Sequence, residues 1–179
     1  MTLKETIELL KEDLKANGGN FLKKILFNHS FKIIFWFRIC QYLHTQHNPF
    51  RHIAYLIYRH YEFKYGIQIG LNQTIKGGIR FPHFSGIVCG AIYIGKNLTM
   101  YQCTTIGATH GKGAPTLGDN VILFAGAKVV GNVKIGNNVV IGANTVVTKD
   151  IPDNAIIVGN PSRIISLDSK KITQYFIRE

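Results

Sequence analysis

From Thr116 to Val147 the chain places an aliphatic residue at every sixth position: Leu117, Leu123, Val129, Ile135, Ile141 and Val147. Four places after each of the first five stand Val121, Ala127, Val133, Val139 and Thr145, all small or β-branched. Six residues are too few for a pair of helices but suit one short strand and a corner. Successive strands then wind into a solenoid whose repeated aliphatics stack in a continuous interior column. Gly136, Asn137 and Asn138 read as one such corner, because Gly and Asn tolerate the positive φ that a sharp bend requires.

The same six-residue phase recurs upstream as Val88, Ile94, Met100 and Ile106, and before that as Ile69, Ile75 and Phe81. The slip between these two series falls on His83 and its neighbours in the stretch FPHFSGIVCG. A second break, GATHGKGAP between Ile106 and Leu117, is glycine-rich and polar and reads as a loop thrown out of the solenoid. Packing needs the repeated residues, so the departures are where chemistry is expected.

Before Gly66 the period is helical. Thr2 and Glu5 have the spacing of a capping box, Leu3, Ile7, Leu10 and Leu14 form one stripe, and Gly18-Gly19 supply a stop. A second helix is expected over FKIIFWFRICQYL and a third from Asn48-Pro49. The chain therefore divides into an α-helical N-terminal region (1–65), a solenoid (66–165) with a protruding loop over 107–116, and a short tail (166–179).

Of the 179 residues 46% are hydrophobic and 17% charged, which excludes intrinsic disorder. A net charge of +11 favours acidic partners: nucleic acid, a phosphate-bearing cofactor, an anionic polymer or a membrane surface. Cys40, Cys89 and Cys103 are odd in number and embedded in apolar runs, which suggests reduced thiols and a cytoplasmic protein. The N-terminal stretch lacks the apolar core of a signal peptide, and the longest apolar run, Ile33 to Phe37, is too short to span a bilayer.

These motifs resemble the hexapeptide-repeat acyltransferases, in the serine acetyltransferase-like branch that includes O-acetyltransferases of bacterial capsule and surface polysaccharides. HFSGIVCG is similar to the branch's His-x-x-Gly-Ile-Val strand, GATHGKGAPTLGDN to its glycine-rich loop, and TKDIPDNAIIVGNPSRII to its C-terminal closure. The resemblance implies a mainly β fold, a left-handed parallel β-helix behind a small helical cap. It also implies a homotrimer with active sites between subunits, acetyl-CoA as the donor, and no metal. The family's catalytic histidine falls on His83, which would act as general base, taking the acceptor's hydroxyl proton as the oxygen attacks the thioester. Backbone N–H groups near Gly86, Gly90 or Gly107 would steady the oxyanion.

For the cofactor, Ala125 and Ala143 match the family's small residues along the pantetheine arm, and Gly107, Ala108 and Thr109 match the loop start beside the thioester. Lys149 and Arg163 are the candidates for the nucleotide phosphates, ordinary solvated charges being the alternative. Serine enzymes carry an aspartate where this chain has Gln68, another where it has Pro82, and an Arg-His-Pro triplet where it has Gly113-Ala114-Pro115. A zwitterionic acceptor needs charged partners for both of its ends, so a saccharide hydroxyl is the expected acceptor, in a pocket formed by Gln68, Phe81 and Phe84, with His110 a candidate for acceptor or cofactor contact and a solvated loop residue as the alternative.

Serine O-acetyl transfer is the principal alternative, and a non-catalytic scaffold is the second. Cys89 reads as apolar filler rather than a nucleophile. A zinc site would need three converging histidines where the solenoid has His83 and His110. Nucleic-acid binding has charge but no reading module. The aromatic, basic stretch HNPFRHIAYLIYRHYEFKY is expected to cover the core or a subunit contact, with peripheral membrane contact as the alternative.

Overall fold

A computed structural model describes residues 1–109 and 113–176 of the chain. The helical region comes first: α1 (Leu3–Ala16), α2 (Phe21–Phe27), α3 (His29–Thr45) and α4 (Arg51–Tyr65). The capping box forms as expected, with the Thr2 hydroxyl accepting from the Glu5 amide at 3.2 Å and the Glu5 carboxylate accepting from the Thr2 amide at 2.6 Å.

Other expectations for this region change. The buried residues of α1 are Thr6 and Asp13, while Leu3 and Ile7 of the expected apolar stripe are exposed. The reason is an ion pair that turns the helix by roughly 80°, so that the Thr6–Asp13 side faces inward while Leu10 and Leu14 stay half-buried. Asp13 Oδ2 accepts from Arg38 Nε at 2.9 Å, and Asp13 Oδ1 accepts from the Gly78 and Ile79 amides at 2.8 and 2.9 Å. Arg38 also donates to the Ile75 and Lys76 carbonyls at 2.7 and 2.9 Å. The pair thus clamps α1 and α3 onto the first turn of the solenoid. Burial pushes the Asp13 carboxyl up, and Arg38 with the two amides holds it back.

The α4 helix starts at Arg51 rather than at Pro49, because Asn48 bonds the Phe50 and Arg51 amides and makes a turn there. The seven-residue α2 was not anticipated; a helix that short carries little periodicity.

Beyond Gly66 the described residues wind through five coils of a left-handed, three-faced parallel β-helix. The first coil holds β1 (Ile67–Ile69) and β2 (Thr74–Ile75), and the second β3 (Ile87–Cys89), β4 (Tyr93–Ile94) and β5 (Thr99–Met100). The third holds β6 (Thr105–Gly107), β7 (Thr116–Leu117) and β8 (Ile122–Leu123), and the fourth β9 (Lys128–Val130), β10 (Lys134–Ile135) and β11 (Val140–Ile141). The fifth holds β12 (Val146–Val147) and β13 (Ile156–Val158). A hairpin strand, β14 (Arg163–Ser166), and α5 (Lys170–Phe176) complete the described chain. Face one is β1-β3-β6-β9-β12, face two is β2-β4-β7-β10, and face three is β5-β8-β11-β13-β14. The tail is thus more structured than expected: β14 pairs antiparallel with β13, and α5 returns along the solenoid.

All six residues of the expected column are buried to 3% exposure or less, and the five companions are buried as well. Upstream the register differs by one. Val88 is 38% exposed, and Cys89 is the inward residue, aligned with Ile69 and Ile106. Phe81 and Cys89 are eight residues apart where the next three coils take six, so this corner carries two extra residues. A one-residue slip exchanges the two faces of a strand.

The corner between faces two and three explains the asparagines. Asn97, Asn120, Asn138 and Asn154 all have φ between 54° and 61°. Their amides form a ladder, with Asn97 donating to Asn120, Asn120 to Asn138 and Asn138 to Asn154 at 2.8 to 3.0 Å. Each supplies the left-handed conformation and a side-chain bond to the next coil.

Candidate active site at the corners of one face

His83 lies at the corner between face three and face one, in the segment with the two extra residues. Its ring is exposed, 5.9 Å from the Tyr101 ring, and among the described residues it has no hydrogen-bond partner. The same corner recurs in each coil. Backbone bonds from Cys103 to Ser85, Gly126 to Gln102 and Asn144 to Ala125, at 2.9 to 3.0 Å, align Ser85, Gln102, Ala125 and Ala143 in one row. Coils are about 4.8 Å apart, so Ala143 stands roughly 14 Å along the edge from Ser85. Side chains shrink along this edge: Tyr101 and Phe124 stack at 5.2 Å, and the equivalent position in the next coil is Gly142. Ala125 is half-buried and Ala143 exposed, which leaves room for a slender ligand beside the backbone. The fit to a pantetheine chain is therefore good.

The loop lies at the other edge of face one. Gly107 closes β6 opposite Val130, Ala108 and Thr109 are exposed, and the Thr109 amide donates a hydrogen bond of 3.1 Å to the Gly113 carbonyl that forms the loop's neck. His110 lies outside the described residues. The strands of face one span the gap between these corners, about 13 Å for the four steps from Cys103 to Gly107. The two exposed phosphate candidates divide the same way. Lys149 follows β12 at the loop edge, and Arg163 opens β14 at the His83 edge. One chain therefore gathers His83, Ala125, Ala143 and Arg163 on one edge, and Gly107, Ala108, Thr109 and Lys149 on the other.

The expected acceptor pocket does not converge around His83 within one chain. Phe81 is 3% exposed and faces the core column. Phe84 sits edge-on to His29 and Tyr65 of the helical region, at 5.3 and 5.5 Å. Gln68 points outward from β1 into a groove of roughly 470 Å³ under α4, shared with Tyr55, Arg59, Glu62, Gln73 and Val88. Gln68 makes no hydrogen bond to His83. Of the suggested oxyanion donors, Gly90 already donates to the Ile106 carbonyl at 2.7 Å, and Gly86, with φ +65°, is the one in the His83 corner.

Two groups escaped the sequence reading. Glu62 is buried in the groove wall, accepting from Arg59 Nη1 at 2.6 Å and from the Ile69 amide at 3.3 Å. Burial and this carboxylate push the Tyr58 phenol up, so it remains a donor to the Ile69 carbonyl, at 2.6 Å. Tyr101 was the other, and the equivalence of corner positions to Phe84 and Phe124 is the signal that would have found it. Cys89 is 3% exposed and burial pushes its thiol up to about 12, so it stays a protonated filler. The acids of the solenoid's corners, Asp119, Asp150 and Asp153, accept from the Lys96, Lys134 and Asn137 amides at 2.7 to 2.8 Å, away from the His83 edge.

Comparison with known proteins fits this architecture. The family model "Bacterial transferase hexapeptide (six repeats)" matches residues 114–149. Serine acetyltransferase of Bacillus subtilis (strain 168) is 33% identical over 174 residues, 95% of this chain and 79% of that protein. The serine acetyltransferase of Staphylococcus aureus (strain N315) is 38% identical over 115 residues, 62% of this chain; the match spans about half, 54%, of that relative's length. Among solved structures, serine acetyltransferase from Brucella abortus strain S19 superposes with a TM-score of 0.79 at 26% identity, covering 91% of this chain and 69% of that one. A serine acetyltransferase in complex with CoA gives 0.77 at 28% identity, covering 91% and 71%. These relatives are serine enzymes, where the motifs had suggested capsule O-acetyltransferases. On whole-chain identity and shared architecture, the chain belongs to the serine acetyltransferase family of hexapeptide-repeat proteins.

Proposed function

We propose that the protein is an acetyl-CoA-dependent O-acetyltransferase that works as a homotrimer, each active site joining the His83 edge of one copy to the Thr109 loop edge of the next. The observation that carries this reading is the division of the site. His83 and the small-residue row lie on one edge of face one and the loop on the other, so neither edge is complete alone. In the reaction the acceptor hydroxyl proton passes to the imidazole as the oxygen bonds to the thioester carbon. Collapse of the tetrahedral adduct breaks the C–S bond, and the departing CoA sulfur recovers the proton. No covalent enzyme intermediate is needed. Acetyl-CoA and unpaired cysteines both fit a cytoplasmic enzyme.

Two acceptors compete. L-serine is named by the relatives, including a structure in complex with serine, and whole-chain similarity supports it. A saccharide hydroxyl is favoured by one specific observation: among the described residues no carboxylate lies at the His83 edge to take an ammonium, and the solenoid's corner acids cap backbone amides elsewhere. Thiol release from acetyl-CoA, measured with L-serine and with a panel of saccharides, separates the two. His83→Ala should lower turnover roughly 10²- to 10⁴-fold while CoA binding persists. Full turnover in that variant would overturn the general-base role. A protein that neither binds CoA nor releases thiol would be a scaffold.

A further inference from the structure

The helical region carries an apolar stripe that stays exposed among the described residues, with the Arg59 guanidinium lying over the Phe63 ring at 4.6 Å. On α4, Ala54, Tyr58, Tyr61 and Tyr65 face the core. At about 100° per residue the opposite side presents Ile53, Leu56, His60 and Phe63, with Leu56 69% and Phe63 77% exposed. The α2 helix has no buried residue, and its Phe27 is 75% exposed. Both stripes reach the same end of the region. Phe27 stands two residues before His29, whose ring lies 4.8 Å from Tyr65, two residues after Phe63. The His29 ring is also 5.3 Å from Phe84, the neighbour of His83. The apolar end therefore adjoins the candidate catalytic corner.

The charge around it has one sign. Residues 20–65 include seven Lys or Arg, of which Arg38 is buried against Asp13 of α1, and a single acid, Glu62, which is buried against Arg59 and the Ile69 amide. A second copy docking here through the same face would bring like charges together. An anionic bilayer surface satisfies both halves: rings and aliphatics enter the acyl boundary while Lys23, Lys24, Arg51 and Lys64 meet phosphates. The exposed stripe of α1 lacks this signature, because Leu3 and Ile7 are flanked by Glu5 and Glu8 as well as Lys4 and Lys11. Among the described residues no helix is long and apolar enough to cross a membrane.

We infer that the α2–α4 edge docks the protein on an anionic membrane surface, with the His83 corner beside the headgroups. The docking stands apart from the acetyl-transfer reading. Its catalytic consequence, which rests on that reading, is that an acceptor anchored in the same membrane would suit the site better than a free amino acid.

The test is co-sedimentation of the full chain with phosphatidylcholine vesicles, with and without phosphatidylglycerol, at low and high salt. Binding should require the anionic lipid and weaken with salt. Removing Lys23 and Lys24 as glutamines should weaken it about fivefold per charge, and Leu56→Gln with Phe63→Gln by about tenfold or more. Lys134→Gln with Lys170→Gln, on other faces, should leave it unchanged. Lys24 is half-buried and the others are exposed, so far-UV circular dichroism and melting should match the parent. No binding to anionic vesicles at low salt would overturn the inference, as would binding indifferent to both the lysine and the apolar pair. Loss of binding together with a smaller assembly on a sizing column would make the face a contact between copies and overturn it too.

Discussion

Replacing Arg38 by Met tests what holds the helical region to the solenoid. The guanidinium is fully buried, as is its partner Asp13, and it makes bonds of 2.7 to 2.9 Å to Asp13, the Ile75 carbonyl and the Lys76 carbonyl. Met fills most of the volume but leaves the Asp13 carboxylate with only the Gly78 and Ile79 amides, and two carbonyls lose a donor. Breaking a buried pair from one side costs about 3–5 kcal/mol, which for a chain of this size lowers the melting temperature by roughly 6–20 °C. Asp13→Asn should cost a similar amount, since it leaves the guanidinium without a counter-charge. The double variant keeps an amide acceptor for Gly78 and Ile79 and buries no charge, so it should be less destabilised than the two single effects summed, by about 2 kcal/mol or more. Urea unfolding at one fixed protein concentration measures this, because melting of an assembly depends on concentration. Additivity within about 0.5 kcal/mol would refute the pair as the clamp.

Three further outcomes are expected. Ala143→Trp should raise the KM for acetyl-CoA about tenfold or more with far less effect on the KM of the acceptor, because the bulk lies on the small-residue edge; an unchanged donor KM would remove Ala143 from the cofactor path. At Asn120, with φ 59° and two ladder bonds of 2.9 and 2.8 Å, Ala should cost about 2–4 kcal/mol in urea titration through lost bonds and left-handed strain. Gly there should cost less, since it relieves only the strain. Alkylation of the native protein at mildly alkaline pH, followed by mass spectrometry, should modify exposed Cys103 and spare Cys40 and Cys89, whose buried thiols are pushed up to about 12; native-state labelling of Cys89 would contradict its assignment as filler.

Much of the solenoid was legible because packing demands repetition. A column from Leu117 to Val147 must recur at one spacing if each coil is to cover the last, and the six-residue period announces it. The break at His83 was visible for the same reason. The assignment of Val88 inward failed there, because two extra residues in the corner shift the strand by one and only hydrogen bonding to β6 fixes which residue faces in. The outward turn of Leu3 and Ile7 was hidden too: the face of α1 was decided by a partner 25 residues away, Arg38 for Asp13. Local periodicity carries no information about a contact of that kind.

The candidate site divides along the same line. Residue types and motif resemblance identified His83, the small residues Ala125 and Ala143, and the loop from Gly107, since a base, a slender path and a flexible backbone each need particular side chains. The three-dimensional structure decided that these fall on opposite edges of one face, that Phe81 belongs to the core, and that Phe84 packs on His29 and Tyr65. It also decided that the aromatic helix α4 turns a second apolar face to solvent. A sequence specifies which side chains repeat; which edge they share depends on corner lengths and on pairs distant in the chain, and these act only once the coils are stacked.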